Sequence, residues 1–464
     1  MRIRVLALAA VVAGALVTVS AQNAQRQVSL LVSGGIVVTV DPVNRVIPNG
    51  AVAIDGTDIV AVDTAENIAK QFRGRDTINA SGQIILPGLI NTHTHAAMVL
   101  YRGLADDLAL SEWLNKYIFP AEAKTVSPAF VRAGTRLAAL EMIQSGTTTF
   151  ADMYYFEEEV AAATKAAGLR GVLGQTIIQF PVADAKTPAD ALVRAEAFIK
   201  SFKDDPLITP AVAPHAMYTL DGPTLKAARD LSRRYNVPTL IHLAETRDEI
   251  QAAQERFKSS PVVYLDSLGF LGPGVLGAHG VWVSDADIAV LKARGVGVSH
   301  NPESNMKLAS GTAPVPAYLR ADVAIGLGTD GAASNNDLDM FEAMRFAALL
   351  HKHASVDPRA LSARTALEMA TIRGARALGM DKRLGSLEPR KYADLITVST
   401  AGARQTPMYD PLSHLVYVMR GDDVVNTIVN GQVLMRDRRV LTLDEKAVLA
   451  EGRAWIDKVR AAVK

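Results

Sequence analysis

The 464-residue chain contains no cysteine. That removes disulfides, thiolate nucleophiles, iron–sulfur clusters and every cysteine-ligated zinc site. Any transition metal must be held by histidine and carboxylates. The chain also lacks an excess of charge. Lys and Arg number 49 against 48 Asp and Glu, for a net charge of +1. Nothing electrostatic recommends nucleic acid or an anionic membrane as a partner. Aromatic residues are sparse at 6%, but 49% of residues are hydrophobic and 21% charged, an ordinary globular balance.

One uncharged apolar run stands out, at residues 5–19, behind Arg2 and Arg4. It is short of the ~20 residues needed to span a bilayer. Val19-Ser20-Ala21 follows with small residues at −3 and −1 of a cleavage point. This is the three-part pattern of a secretory signal peptide over residues 1–21, and the expectation is an exported, periplasmic protein. No other segment looks membrane-spanning.

Residues 27–85 read as short β segments at 29–32, 35–40, 50–55, 59–63 and 77–79, punctuated by Asp41-Pro42, Pro48-Asn49-Gly50 and Asp55-Gly56. After Pro87 short apolar runs alternate with helical stretches, as βα units do. Eight runs are counted, at 84–89, 147–151, 171–178, 208–213, 239–243, 274–278, 295–299 and 323–327. Between them, the stretch 127–144 shows Ser127 suited to an N-cap, Pro128 to the first helical position, and Gly146 past the end. Eight such units predict a (β/α)8 TIM barrel over 86–384. Residues 385–442 return to β character, with Asn430-Gly431 as a hairpin signal. Segments 22–85 and 385–442 are expected to form one composite β-sandwich, and 443–464 a C-terminal helix.

In a TIM barrel the active site lies at the C-terminal strand ends. Six of the nine histidines fall there: His93, His95, His215, His242, His279 and His300. Alternation puts His93 and His95 on one side of an extended strand. With His242 after strand 5 and Asp330 after strand 8 they would supply four metal ligands. An all-N/O set suits one Zn²⁺, with Fe²⁺ or Mn²⁺ as alternatives.

The run from Leu86 to His95, His242-x-x-Glu245, Ala278-His279, Ser299-His300-Asn301-Pro302, Gly328-Thr329-Asp330-Gly331 and the tail Gly385–Glu388 with Ala393-Asp394-Leu395 resemble the amidohydrolase superfamily. Met98, residues 102–107, Glu112-Trp113-Leu114 and residues 119–122 are similar to its 5-methylthioadenosine/S-adenosylhomocysteine deaminase branch. The resemblance implies one metal per subunit, because residues 208–215 lack the lysine that bridges two metals in binuclear relatives. It implies hydrolytic deamination, in which an activated water attacks the ring carbon bearing the amino group. Asp330 takes the proton of the water, Glu245 shuttles one to the adjacent ring nitrogen, and His279 orients the nucleophile. Glu122 would accept ribose hydroxyls, His215 would contact ribose or purine, Trp113 would pack on the base, and His300 would also face the substrate. Relatives that accept S-adenosylhomocysteine place an arginine after strand 3; here Gln175 is the expected equivalent. Methylthioadenosine or adenosine is therefore expected over S-adenosylhomocysteine. Met217 and Arg390 depart from the branch, where proline and glycine are usual.

The same metal site would also serve another small heterocycle: guanine, a pterin or an s-triazine. An exported amidase or dipeptidase and a non-catalytic binding protein are the remaining alternatives. A homodimer is a family expectation only. His351, His353 and His414 lie away from strand ends and are read as non-catalytic.

Overall fold

The computed structural model describes residues 25–463, so the segment read as a signal peptide lies outside the described residues. Strands β1 (Arg26–Val38), β2 (Val46–Asp55), β3 (Asp58–Thr64), β4 (Phe72–Asn79) and β5 (Gln83–Pro87) come from the N-terminal part. The C-terminal part adds β14 (Leu395–Ser399), β15 (Val424–Val429), β16 (Gln432–Arg436) and β17 (Arg439–Val440). They form one nine-stranded sheet in the order β17-β16-β15-β14-β5-β1-β2-β3, with β4 also on β1. The two chain ends meet where β14 runs antiparallel to β5, Leu395 opposite Pro87 and Ser399 opposite Gln83. Alternate residues point to one face, and there Leu30, Val32, Val52, Ile54, Ile85, Leu395 and Ile428 share a buried core. Asn430 and Gly431, both at positive φ, turn β15 into β16 as the hairpin signal requires.

The barrel strands are β6 (Leu89–Thr94), β7 (Thr147–Tyr154), β8 (Arg170–Ile177), β9 (Ile208–Pro214), β10 (Thr239–Leu243), β11 (Val275–His279), β12 (Gly297–His300) and β13 (Ala324–Leu327). They pair in parallel in sequence order. Most are buried along their whole length, which accounts for their continuously apolar or small residues. One expectation is corrected. The run 84–89 is not the first barrel strand: Gln83–Pro87 belongs to the accessory sheet, and the barrel begins at Leu89. A single apolar run feeds two sheets, with Gly88 at the crossing. A Cβ there would meet the Thr148 hydroxyl at 2.1 Å.

The seam between β13 and β6 carries no ladder among the described residues. It is closed by single bonds instead. The Thr92 hydroxyl donates to Leu327 O (2.9 Å), the Asn91 amide to Thr329 Oγ1 (2.7 Å), and the Asp330 N–H to His93 O (2.9 Å). Two strands of the site are thereby fixed to each other at the point where function needs it.

The helix Pro128–Ser145 takes the expected caps: the Ser127 hydroxyl accepts from Phe130 N, and Gly146 sits at φ 88°. The C-terminal stretch forms two helices, Glu445–Arg453 and Ile456–Ala462. Residues 96–125 fold into short helical turns, including a π-turn at Leu114–Ile118, that lie beyond β6. Among the described residues no helix is long and apolar enough to cross a membrane.

Candidate active site

His93 lies within β6 and His95 immediately follows it. Their ring centroids are 4.9 Å apart. His242 in β10 brings its ring to 5.0 Å from His93 and 5.3 Å from His95. Asp330 places Oδ1 3.5 Å from His93 Nε2 and 3.3 Å from His95 Nε2. The four residues expected as ligands thus converge at one point. The ligating atoms of His93, His95 and Asp330 lie within 4.8 Å of one another, as do those of His93, His242 and His279.

Hydrogen bonds behind the rings fix which nitrogen faces inward. His95 Nδ1 donates to Met153 O (2.7 Å) and His242 Nδ1 to His215 O (2.9 Å). Each ring therefore presents a bare Nε2 to the centre. These two Nε2 atoms stand 3.3 Å apart, lone pair toward lone pair. His93 Nε2 is buried with no hydrogen-bond partner. Buried polar atoms without partners are costly, and facing lone pairs repel. A cation among them resolves both. Burial also disfavours imidazolium, holding His93 at about 4 and His242 well below the usual value, so both are neutral as ligation requires. Asp330 accepts hydrogen bonds from the Ser304 hydroxyl (2.7 Å) and Gly331 N (2.7 Å). Although burial opposes it, the His93 imidazole beside it, with those of His95 and His279, holds its carboxyl well below the ordinary range. The residues fit one divalent metal ion.

Two further groups adjoin this centre. Glu245 is fully buried, which raises its carboxyl above the usual range. His279 Nε2 lies 3.8 Å from Glu245 Oε2 and 3.9 Å from Asp330 Oδ2. Burial acts against the charged form of His279, but the two carboxylates outweigh it and raise the imidazole. Its Nδ1 is 2.9 Å from Asn305 Oδ1. Ala244, His279 and Asp330 all take positive φ, the left-handed region that non-glycine residues rarely enter. Such strain collects where surrounding structure must aim a side chain.

A cavity open to solvent lies above this cluster. His215, Trp113 and Glu122 line it. Tyr154 donates its hydroxyl to Glu122 Oε1 (2.7 Å), and burial pushes Glu122 up to about 7. Two expected contacts are corrected. Gln175 does not line the cavity; it is buried in β8 and donates to Asp184 Oδ2 (2.8 Å), while its neighbour Thr176 faces the cavity. Alternation along the strand puts the two on opposite sides. His300 is also absent from the lining. It is fully buried behind β12 with Nε2 3.0 Å from His351 Nε2.

Sequence reasoning missed Glu249 and Asp152. Glu249 accepts the N–H groups of Ala244 (3.0 Å) and Glu245 (2.8 Å), holding the turn that aims Glu245. Its only sequence signal is the Thr246-x-x-Glu249 spacing at a helix start. Asp152 accepts the Ala96 N–H (2.6 Å) and the Thr94 hydroxyl (2.7 Å) beside His95.

Comparison with known proteins agrees with this geometry. The amidohydrolase family profile matches residues 84–434. The chain is 48% identical over 424 residues to the 5-methylthioadenosine/S-adenosylhomocysteine deaminase of Syntrophobacter fumaroxidans, covering 91% of this chain and 97% of that one. It is 44% identical over 437 residues to the 5'-deoxyadenosine deaminase of Methanosarcina mazei, covering 94% and 99%. Among solved structures, a zinc-bound adenosine deaminase from Xanthomonas campestris superposes with a TM-score of 0.93 at 38% identity, over 94% of this chain and all of that one.

Proposed function

The chain belongs to the amidohydrolase family, and from that premise we propose that it is a zinc-dependent deaminase of adenine nucleosides modified or unsubstituted at the 5′ position. 5-Methylthioadenosine, 5'-deoxyadenosine and adenosine are the substrates put forward. The observation that carries the reading is the cavity itself. It is lined by three of the convergent ligands, His95, His242 and Asp330, with His93 clustered against them, and by Glu245, His279, Glu122, Trp113 and His215.

A zinc ion bound by the four ligands supplies Lewis acidity, which makes water nucleophilic at neutral pH. Asp330 accepts the first proton released by the water and returns it to the departing ammonia, while the second, given up as the oxo group forms, restores the Glu245 carboxyl. Glu245, whose carboxyl burial raises above its ordinary value, delivers a proton to the ring nitrogen beside the carbon under attack. His279, with Nδ1 held by Asn305, hydrogen-bonds the attacking oxygen. Glu122 accepts the ribose hydroxyls, and Trp113 packs on the base. Water and the aminopurine nucleoside are consumed; the oxopurine nucleoside and ammonia are formed.

No lysine or arginine lines the inner cavity among the described residues. An adjoining chamber shares Leu110, Leu114, Phe119, Tyr218 and Leu308 with it and carries one arginine, Arg247, stacked at 4.3 Å on the Trp282 ring. The shared apolar wall favours a small or apolar 5′ substituent over the zwitterionic tail of S-adenosylhomocysteine. The proposal includes export to the periplasm, supported by the pattern of residues 1–21.

The test is an ammonia-release screen with the mature, zinc-loaded protein over adenine nucleosides, guanine, pterins, s-triazines and dipeptides. Turnover of the nucleosides above the rest supports the reading. A preference for guanine, a triazine or a dipeptide overturns it, and a higher kcat/KM for S-adenosylhomocysteine overturns the ordering.

A further inference from the structure

Three segments at the C-terminal face of the barrel each give the cavity part of its lining and also give one partner to a polar cluster outside that lining. The segment after β6 lines the cavity with Leu110 and Trp113 and carries Asp106. The helix Pro302–Lys307 after β12 ends in Lys307, and Leu308 directly behind it lines the cavity. The loop after β13 lines it with Ser334 and carries Asn336. Lys307 Nζ donates to Asp106 Oδ1 (2.5 Å) and to Asn336 Oδ1 (2.5 Å). One side chain thus ties all three segments together.

The segment after β6 has little else to hold it. No N–H of residues 105–109 donates to a backbone carbonyl among the described residues. Such a stretch opens readily unless side chains fasten it. Two do. Arg102 pairs with Glu141, whose other oxygen accepts the Leu338 N–H (2.9 Å) from the loop after β13. Asp106 takes the Lys307 ammonium, whose side chain keeps only 19% of its surface in solvent. The helix that ends in Lys307 also carries Ser304 and Asn305, which bond Asp330 and His279. The contact therefore joins the roof of the cavity to the helix that holds two groups of its floor.

We propose that Lys307 is a positioning residue: through Asp106 and Asn336 it latches the segments after β6, β12 and β13 together, and so keeps the roof of Leu110 and Trp113 closed over the nucleoside. None of the three latch residues lines the cavity. The kinetic part of this inference rests on the nucleoside deaminase reading; the closure itself does not. Without the latch a smaller fraction of molecules has the roof in place before substrate arrives. Apparent affinity falls by that fraction, whereas the complex, once formed and closed, reacts as before. The loss belongs to KM rather than to kcat.

The experiment compares Lys307→Met, Asp106→Asn and the double variant as zinc-loaded full-length protein. Methionine removes the charge and keeps most of the length; asparagine removes the charge and keeps the shape. Each single variant is expected to raise KM for 5-methylthioadenosine about 5-fold, the upper end for an ion pair still open to solvent. With zinc content unchanged, kcat should stay within about 2-fold of wild type. The double variant should be no worse than either single one, because both remove the same interaction. Hydrogen exchange in the absence of substrate should quicken over residues 105–118 in all three. The proposal is overturned if KM is unchanged in both single variants, if kcat falls while KM does not move, or if the two losses simply add. A lowered melting temperature with wild-type kinetics and exchange overturns it as well. Should Lys307→Met yield no soluble protein, Asp106→Asn, at the more exposed end of the pair, decides by its KM and exchange. If the wild type turns over no nucleoside, the deaminase reading falls and hydrogen exchange alone decides the latch, with unchanged exchange over residues 105–118 overturning it.

Discussion

In the proposed reaction Glu245 acts through a proton, so the isosteric amide is the informative change. Glu245→Gln should bind the metal normally and lose at least about 100-fold in kcat. Metal content and kcat measured on one preparation check this, and near-normal turnover would remove its proton-transfer role. Glu122 should give a pH signature. Burial raises its carboxyl to about 7, from a reference value of 4.5. The carboxylate is the better acceptor for ribose hydroxyls, so KM should fall as pH rises through about 7. Stability moves the other way. A folded-state value above the unfolded one contributes stability that is full below about pH 4.5 and lost as pH rises through 7. Glu122→Gln should flatten both profiles, and an unchanged KM profile would place the titration elsewhere. At this scale the convergence of His93, His95, His242 and Asp330 was legible in the sequence, because alternation and strand ends alone bring them together. Glu249 and Asp152 were not, because their partners are backbone N–H groups of turns whose geometry no spacing encodes. Gln175 and His300 were misplaced for a related reason. Each sits near a functional strand end, but on the side that faces away from the cavity.

Among the elements, the segment directly after His95 depends on close approach to a helix. A Cβ on Gly134 in Pro128–Ser145 would meet Ala97 O at 2.3 Å. Backbone cannot yield as a flexible side chain does, so Gly134→Ala should destabilise the protein by about 1–3 kcal/mol through overpacking. Denaturant titration measures the loss, and a stability equal to wild type would contradict the described packing. Seven of the eight barrel strands could be placed within a few residues from short buried runs. The first could not, because residues 84–89 are uniformly apolar and the division at Gly88 is made by pairing partners far along the chain. The Leu110–Thr125 helices that roof the cavity carry no sustained period, so only the local motifs around Trp113 and Glu122 could be read there.

The whole molecule joins its accessory sheet to the barrel through a buried ion pair. Arg170 in β8 reaches Asp394 at the start of β14, with Nε–Oδ2 2.9 Å, and both side chains are almost fully enclosed. Asp394 also accepts the Asn430 N–H (2.6 Å) at the β15–β16 turn. Asp394→Ala leaves the Arg170 guanidinium buried without its counter-charge, and should cost about 3–5 kcal/mol. A loss below 1 kcal/mol in a denaturation experiment would show that the pair does not hold the two parts together. That the two β-rich ends would meet was readable from composition. That they would form one sheet, joined through β5 and β14, required the pairing. Arg390, where the related branch has glycine, takes φ 74°, which gives the glycine its physical reason.

The central claim is that this cavity exchanges the amino group of an adenine nucleoside for oxygen with the help of a bound divalent metal. The most direct measurement follows the ultraviolet change from aminopurine to oxopurine with 5-methylthioadenosine, together with released ammonia, for metal-loaded and metal-stripped protein. The account predicts equal amounts of oxopurine nucleoside and ammonia from the loaded protein, loss of both on stripping, and recovery on adding zinc. A fully metal-loaded protein that leaves 5-methylthioadenosine, 5'-deoxyadenosine and adenosine unchanged would contradict it.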